Sequence, residues 1–124
     1  WGYFSPTVTN SVTNSGNPGA AVDGDTSTEV TLTTGDYVTL DAGLTNGIRF
    51  HADYGQSIEV RHEPTGDTLF ITDSYAENTW VERTYPLVDG AITVQNASYD
   101  TNNYVYIHEV ELMAAGYLDH THSI

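Results

Sequence analysis

Asn17-Pro-Gly-Ala-Ala-Val-Asp-Gly-Asp-Thr-Ser-Thr-Glu-Val30 runs a small apolar patch straight into two aspartates, a glycine and three hydroxyl side chains. Asp and Gly suit a tight turn between strands. Asp-x-Asp also sets two carboxylates on one side of a loop, a pattern that suits a hard cation. An EF-hand does not fit. With Asp23 at position one, position six is Thr28 rather than Gly, and position twelve is Thr34 rather than Glu. No helical pattern flanks the loop. What surrounds it reads as strand.

Alternating or β-branched runs predict strands at Glu29–Thr33, Tyr37–Asp41, Ile48–Asp53, Ser57–His62, Thr68–Asp73, Thr79–Tyr85, Ala91–Asn96 and Tyr104–Met113. Turn chemistry separates them: Thr34-Gly35-Asp36, Asn46-Gly47, Tyr54-Gly55, Glu63-Pro64-Thr65-Gly66-Asp67 and Asp89-Gly90. The single helical candidate is about one turn near Gly19–Val22, with Pro18 at a first helical position. About eight short strands at roughly ten-residue spacing predict an all-β protein, an antiparallel β-sandwich or jelly roll. Residues 1–15 are expected as an N-terminal arm that adds an edge strand, 16–114 as the sandwich, and 115–124 as a tail. The chain begins at Trp1 rather than Met, which reads as a processed product or a segment of a longer protein.

Composition narrows the partners. The chain has 124 residues, one domain's worth, and no Cys, so neither a disulfide framework nor a thiolate site is available. Seventeen Asp and Glu face only Arg49, Arg61 and Arg83, with no Lys, for a net charge of −14. Such a surface repels nucleic-acid phosphates and anionic membranes. No apolar run approaches the ~20 residues that span a bilayer. The charge suits an acidic extracellular domain, and the absence of Lys points further, to a halophilic source. Stability is therefore expected to climb with KCl as the Debye length shrinks from ~30 Å at 0.01 M to ~3 Å at 1 M. A denaturation midpoint that is flat or falling over that range would count against salt adaptation.

Four motifs stand in order: Ala-Val-Asp-Gly-Asp-Thr-Ser-Thr (Ala21–Thr28), Tyr-Val-Thr-Leu-Asp-Ala-Gly (Tyr37–Gly43), Trp80, and Tyr-Val-Tyr-Ile-His-Glu-Val-Glu-Leu (Tyr104–Leu112). This order resembles the discoidin-like family, the coagulation-factor type C or galactose-binding-like sandwich shared by many carbohydrate-binding modules. The resemblance covers about Gly16 to Ala114. It implies a structural Ca²⁺ in the aspartate loop, with Asp23 and Asp25 giving side-chain oxygens, Thr28 a hydroxyl or carbonyl, and Ala20, Ala21 or Gly24 further carbonyls. Glu109 or Glu111, two apart and so on one face of the last strand, would close the shell, Glu109 matching the family position better. It also implies a core place for Trp80. Two departures weaken any transfer of ligand specificity: Val30 stands where many members have Trp, and Tyr106 where many have Arg.

Sugar sites in such modules lie on loops at one end, where an aromatic face meets polar side chains. Three loops have that composition: Asp53–Gln56, Ser74–Asn78 leading to Trp80, and Ser98–Asn103. Tyr75, Asn78, Tyr99 and Asn102 are the expected ligand contacts, whereas Tyr37, Tyr85, Tyr104 and Tyr106 are expected as half-buried strand residues. Catalysis has no support: there is no Gly-x-Ser-x-Gly elbow and no His-Glu-x-x-His motif, and His51, His62 and His108 show no ligand spacing. His120-Thr-His122 in the tail suits weak metal binding. Asn96-Ala97-Ser98 is a glycosylation sequon at a strand end. The expected protein is a non-enzymatic, calcium-stabilised adhesion or glycan-recognition module, extracellular or on a cell or virion surface. The rival is a structural assembly subunit, a virion decoration or tail part or a surface-filament component, docking through Trp1–Phe4 and the tail.

Overall fold

A computed structural model describes residues 2–54, 57–72, 74–99 and 103–114. Ten strands form two antiparallel sheets packed face to face. They are β1 (Tyr3–Phe4), β2 (Val8–Val12), β3 (Val30–Thr33), β4 (Tyr37–Leu40), β5 (Leu44–Asp53), β6 (Ile58–His62), β7 (Asp67–Thr72), β8 (Trp80–Asp89), β9 (Ile92–Asn96) and β10 (Tyr104–Ala114). One sheet runs β1-β10-β5-β8, with β3 also paired to β10. The other runs β2-β4-β9-β6-β7. The expected arm is thus built into both sheets, β1 against β10 and β2 against β4. The helical candidate is a 3₁₀ turn at Pro18–Val22, capped where the Asn17 side chain accepts from Gly19 N at 2.9 Å.

Period-two alternation sends Ile48, Phe50 and Ala52 of β5 inward and Arg49, His51 and Asp53 outward. Val38, Leu40, Ile58, Val60, Ile92 and Val94 of the second sheet meet them from across the sandwich. Each such fully buried side chain contributes roughly 1.5–3 kcal/mol of apolar transfer, and their continuity across both sheets holds the layers together. Two pairs of buried hydroxyls satisfy each other across strands. Thr45 pairs with Tyr85 at 2.7 Å and Thr39 with Thr93 at 2.9 Å.

Asn46-Gly47 departs from its expected role as a turn, since both residues lie inside β5. The register shifts between Thr45 and Gly47 as the strand passes β8. A Cβ at Gly47 would stand 3.3 Å from the Arg83 carbonyl, so the glycine serves close approach between strands rather than reversal. The sequon also changes meaning. Asn96 is fully buried and its Nδ2 donates to the carbonyls of Leu32 (2.9 Å) and Asn103 (3.1 Å), leaving no amide for a sugar in the folded chain.

Most consequential is a bulge in β10. Ile107 pairs with Ala52 and Glu109 with His51, so His108 is the extra residue. Inward positions are Val105 and Ile107 before it and Val110 and Leu112 after it. The one-residue phase change sets Glu109 and Glu111 on the outer side, with Glu109 against the aspartate loop.

Candidate functional site

The aspartate loop closes on itself through its own oxygens. Asp23 Oδ1 accepts from Asp25 N (3.0 Å), and Asp23 Oδ2 from the Thr28 hydroxyl (2.6 Å). Asp25 Oδ1 accepts from Ser27 N (2.8 Å) and Ser27 Oγ (2.6 Å). Gly24, at φ +79°, turns its N–H to Glu109 Oε2 at 3.0 Å. These contacts bring Asp23, Thr28 and Glu109 together, while the Asp25 carboxylate is taken up by Ser27. Glu111 is committed elsewhere, its Oε1 2.6 Å from Arg49 Nε and 2.5 Å from Nη2.

Glu109 is only 1% exposed, and its Oε1 is buried without a hydrogen-bond partner. Burial pushes its carboxyl up to about 7, helped by the neighbouring Asp23 and opposed by the Gly24 N–H. Asp23 shifts the other way, lowered chiefly by the Thr28 hydroxyl bond and then by the Asp25 N–H. An orphaned buried oxygen beside a carboxylate, a hydroxyl and loop carbonyls is a donor set that hard, oxygen-seeking Ca²⁺ accepts. Among the described residues no three His, Asp or Glu side chains converge on one point, so backbone oxygens must supply part of such a shell.

The strand register puts four connections at one end of the sandwich: β3–β4, β5–β6, β7–β8 and β9–β10. Thr33 pairs with Tyr104, Tyr106 with Asp53, His51 with Trp80, and Ile58 with both Thr72 and Asn96. Tyr75, Asn78 and Tyr99 all lie on these loops; Asn102 lies outside the described residues. Tyr99 is 100% exposed. Asn78 sits at φ +55° with its N–H on the Ala52 carbonyl at 2.8 Å.

Tyr75 is not the free stacking face expected of a loop tip. Its ring meets Phe50 edge-on at 5.3 Å, and its hydroxyl serves the carbonyls of Asp53 (3.2 Å) and Tyr54. What it holds is Tyr54, whose φ of +60° is a left-handed conformation rare for a bulky side chain. Tyr54 is 48% exposed, its ring 5.1 Å from Tyr106, which stacks in turn on Tyr104 at 6.5 Å with the rings 8° from parallel. The half-buried places expected for Tyr104 and Tyr106 are correct, yet both point outward. Three tyrosines thus form one aromatic row leading to the loop end. Carboxylates border it: burial first, then Tyr54 and Glu29, with smaller effects of Tyr104 and Asp53, raise the Tyr106 hydroxyl.

Trp80 does not occupy the expected core place. It stands on the outer face, 37% exposed, with Arg49 held 4.5 Å from its ring and 4.4 Å from that of Tyr3. His51 meets Trp80 edge-on at 5.7 Å, and burial followed by His108 lowers the His51 pKa. Sequence spacing gave no sign of this outer cluster, because the bulge at His108 and the β5–β8 register assemble it.

No family model and no curated protein matches the sequence. Solved structures do match. The family 32 carbohydrate-binding module of AlyQ, in complex with 4,5-unsaturated mannuronic acid, superposes with a TM-score of 0.71 at 20% identity, over 91% of this chain and 98% of that one. The chain has the discoidin-like fold. The family 32 module of Clostridium perfringens NanJ, in complex with galactose, shares this discoidin-like fold at a TM-score of 0.71 and 13% identity, over 88% of this chain and 93% of that one. Chitosan-binding module 1 of the Paenibacillus sp. IK-5 chitosanase/glucanase does so at 0.69 and 12%, over 90% and 96%.

Proposed function

We propose that this discoidin-like domain is a non-catalytic carbohydrate-binding module that recognises its glycan at the loop end, on the row Tyr54–Tyr106–Tyr104 with Tyr99 and Asn78. The observation that carries this reading is Tyr54, a bulky ring kept exposed in a left-handed conformation by the hydroxyl of Tyr75. Strain of this kind is retained where the surroundings over-determine it, and it clusters at binding sites. Three neighbours of the same fold are carbohydrate-binding modules, two of them in complex with sugars and the third named for chitosan.

Charge restricts the ligand class. Asp53 and Glu29 lie beside Tyr106, and the three arginines sit on strands, Arg49 taken up by Glu111, Tyr3 and Trp80 rather than by the tyrosine row. Uronic acids would find no cation there. Neutral or amino sugars fit, with a ring's apolar side on tyrosine and hydroxyls or ammonium toward the carboxylates. The aspartate loop is proposed to hold a structural Ca²⁺ through Asp23, Thr28, Glu109 and loop carbonyls, with Asp25 close by.

A panel of neutral, amino and uronic oligosaccharides tests the reading, with affinities measured by calorimetry. Tyr75→Phe keeps the contact with Phe50 and loses the tether on Tyr54, so affinity should fall several-fold while the melting temperature changes little. A panel without any ligand, or a Tyr75→Phe protein that binds as the parent does, would overturn the proposal.

A further inference from the structure

The geometry points to a second metal site, independent of the aspartate loop: a two-histidine chelate for Cu²⁺ formed by His51 and His108 on the outer face of the first sheet. The bulge in β10 makes His108 an unpaired extra residue, and such bulges re-aim side chains. Here it turns the imidazole toward His51 of the neighbouring strand, until the two Nδ1 atoms lie 2.9 Å apart with the rings 49° from parallel. Two imidazoles facing each other through the same nitrogen can share one proton at most, and the same pair of lone pairs suits a metal.

The far side of His108 fits that role. Its Nε2 lies 3.4 Å from Glu29 Oε1, which favours the proton on Nε2 and leaves Nδ1 as the lone pair. Ligating histidines characteristically give their other N–H to a carboxylate in this way, fixing the tautomer. In the metal-free pair His51 Nδ1–H then donates to His108 Nδ1. Metal binding needs only the neutral His51 to move its proton from Nδ1 to Nε2 through solvent.

The ligand set selects the metal. An ion replaces the shared proton once the two rings turn so that both Nδ1 lone pairs meet on it. Two imidazoles with the remaining positions left to water suit tetragonal Cu²⁺, which also heads the affinity order of divalent ions. Solvent completes the coordination, since no third His, Asp or Glu joins the pair among the described residues. His62 does not compete: its Nδ1 meets Thr65 Oγ1 at 2.8 Å and its Nε2 the Asp89 carbonyl at 2.7 Å.

The test uses the full chain carrying His120→Ala and His122→Ala, to silence the tail, with the aspartate loop kept in excess Ca²⁺. Titration with Cu²⁺ alone, followed by calorimetry and electron paramagnetic resonance, should show one ion per chain with splitting from two nitrogens. Zn²⁺ should bind at least about tenfold more weakly. His51→Gln should abolish the two-nitrogen spectrum and weaken Cu²⁺ about 100-fold, and His51→Phe, which keeps an aromatic contact with Trp80, should do the same. Glu29→Gln should weaken it about 10- to 100-fold, as losing the partner of a ligating histidine does. The site is refuted if the parent binds Cu²⁺ no better than either His51 variant, or if those variants, shown folded by their melting curves, keep the two-nitrogen spectrum.

Discussion

Tyr54→Gly is expected to remove most glycan binding while leaving the sandwich as stable as before, or more so. The two effects have separate origins. A side chain held at φ +60° costs on the order of 1–2 kcal/mol relative to glycine, which adopts that conformation freely. The substitution relieves that cost and removes a ring that is half exposed and contributes little to the core. Binding loses the outermost member of the aromatic row, worth roughly 1–3 kcal/mol for an interface anchor, or about 5- to 150-fold in affinity. Tyr54→Ala should lose the same affinity without the gain in stability, because alanine keeps the strain. Calorimetry with the best-binding oligosaccharide and thermal unfolding of both variants read the two effects apart. Unchanged affinity in Tyr54→Gly would show that the ring is incidental, and a large loss of stability would show that it is structural.

Strand existence was legible in the sequence because the inner faces alternate cleanly, as in Ile48, Phe50 and Ala52, and because Gly-Asp and Pro-Thr-Gly punctuate the ends. The aspartate loop was legible for a similar reason: its hydrogen bonds run between residues two to five apart, so the motif carries its own geometry. Only Glu109 comes from far along the chain, and there the resemblance to discoidin-like domains supplied the residue. What stayed hidden depends on register. Trp80 reads as core until its pairing with His51 and its contact with Arg49 are seen. The β10 bulge adds one residue without any glycine or proline to mark it, yet it decides where His108 and Glu109 point. That Tyr75 anchors the loop while Tyr54 stays exposed was hidden too, because a sequence names loop aromatics without saying which ring packs inward.

Glu109 sets the second large effect, a dependence of stability on pH that Ca²⁺ should erase. Burial raises the folded carboxyl to about 7 from its ordinary 4.5. The folded state therefore holds a proton that the unfolded chain has released between those values, and stability falls as pH rises across them. The contribution is whole below about 4.5 and lost as pH passes 7, with a loss on the order of 2 kcal/mol in metal-free protein. Asp23 and Asp25 do not mask it. Their pKa values are lowered by the Thr28 and Ser27 hydrogen bonds, so their contribution is lost only as pH falls below the ordinary carboxylate range. The Ca²⁺ proposed for the loop would need the ionised carboxylate, so its stabilisation should be small at pH 5 and several degrees larger at pH 8. Glu109→Gln should flatten the metal-free profile and abolish the Ca²⁺ response, and Asp23→Ala should also abolish that response. Asp67→Ala, at the start of β7, should leave the response intact. Melting temperatures at pH 5 and 8, in EDTA and in Ca²⁺, check all four proteins. A Ca²⁺ shift that is equal at both pH values, or that survives Asp23→Ala, would place the ion elsewhere and leave Asp23-Gly24-Asp25 as an ordinary turn.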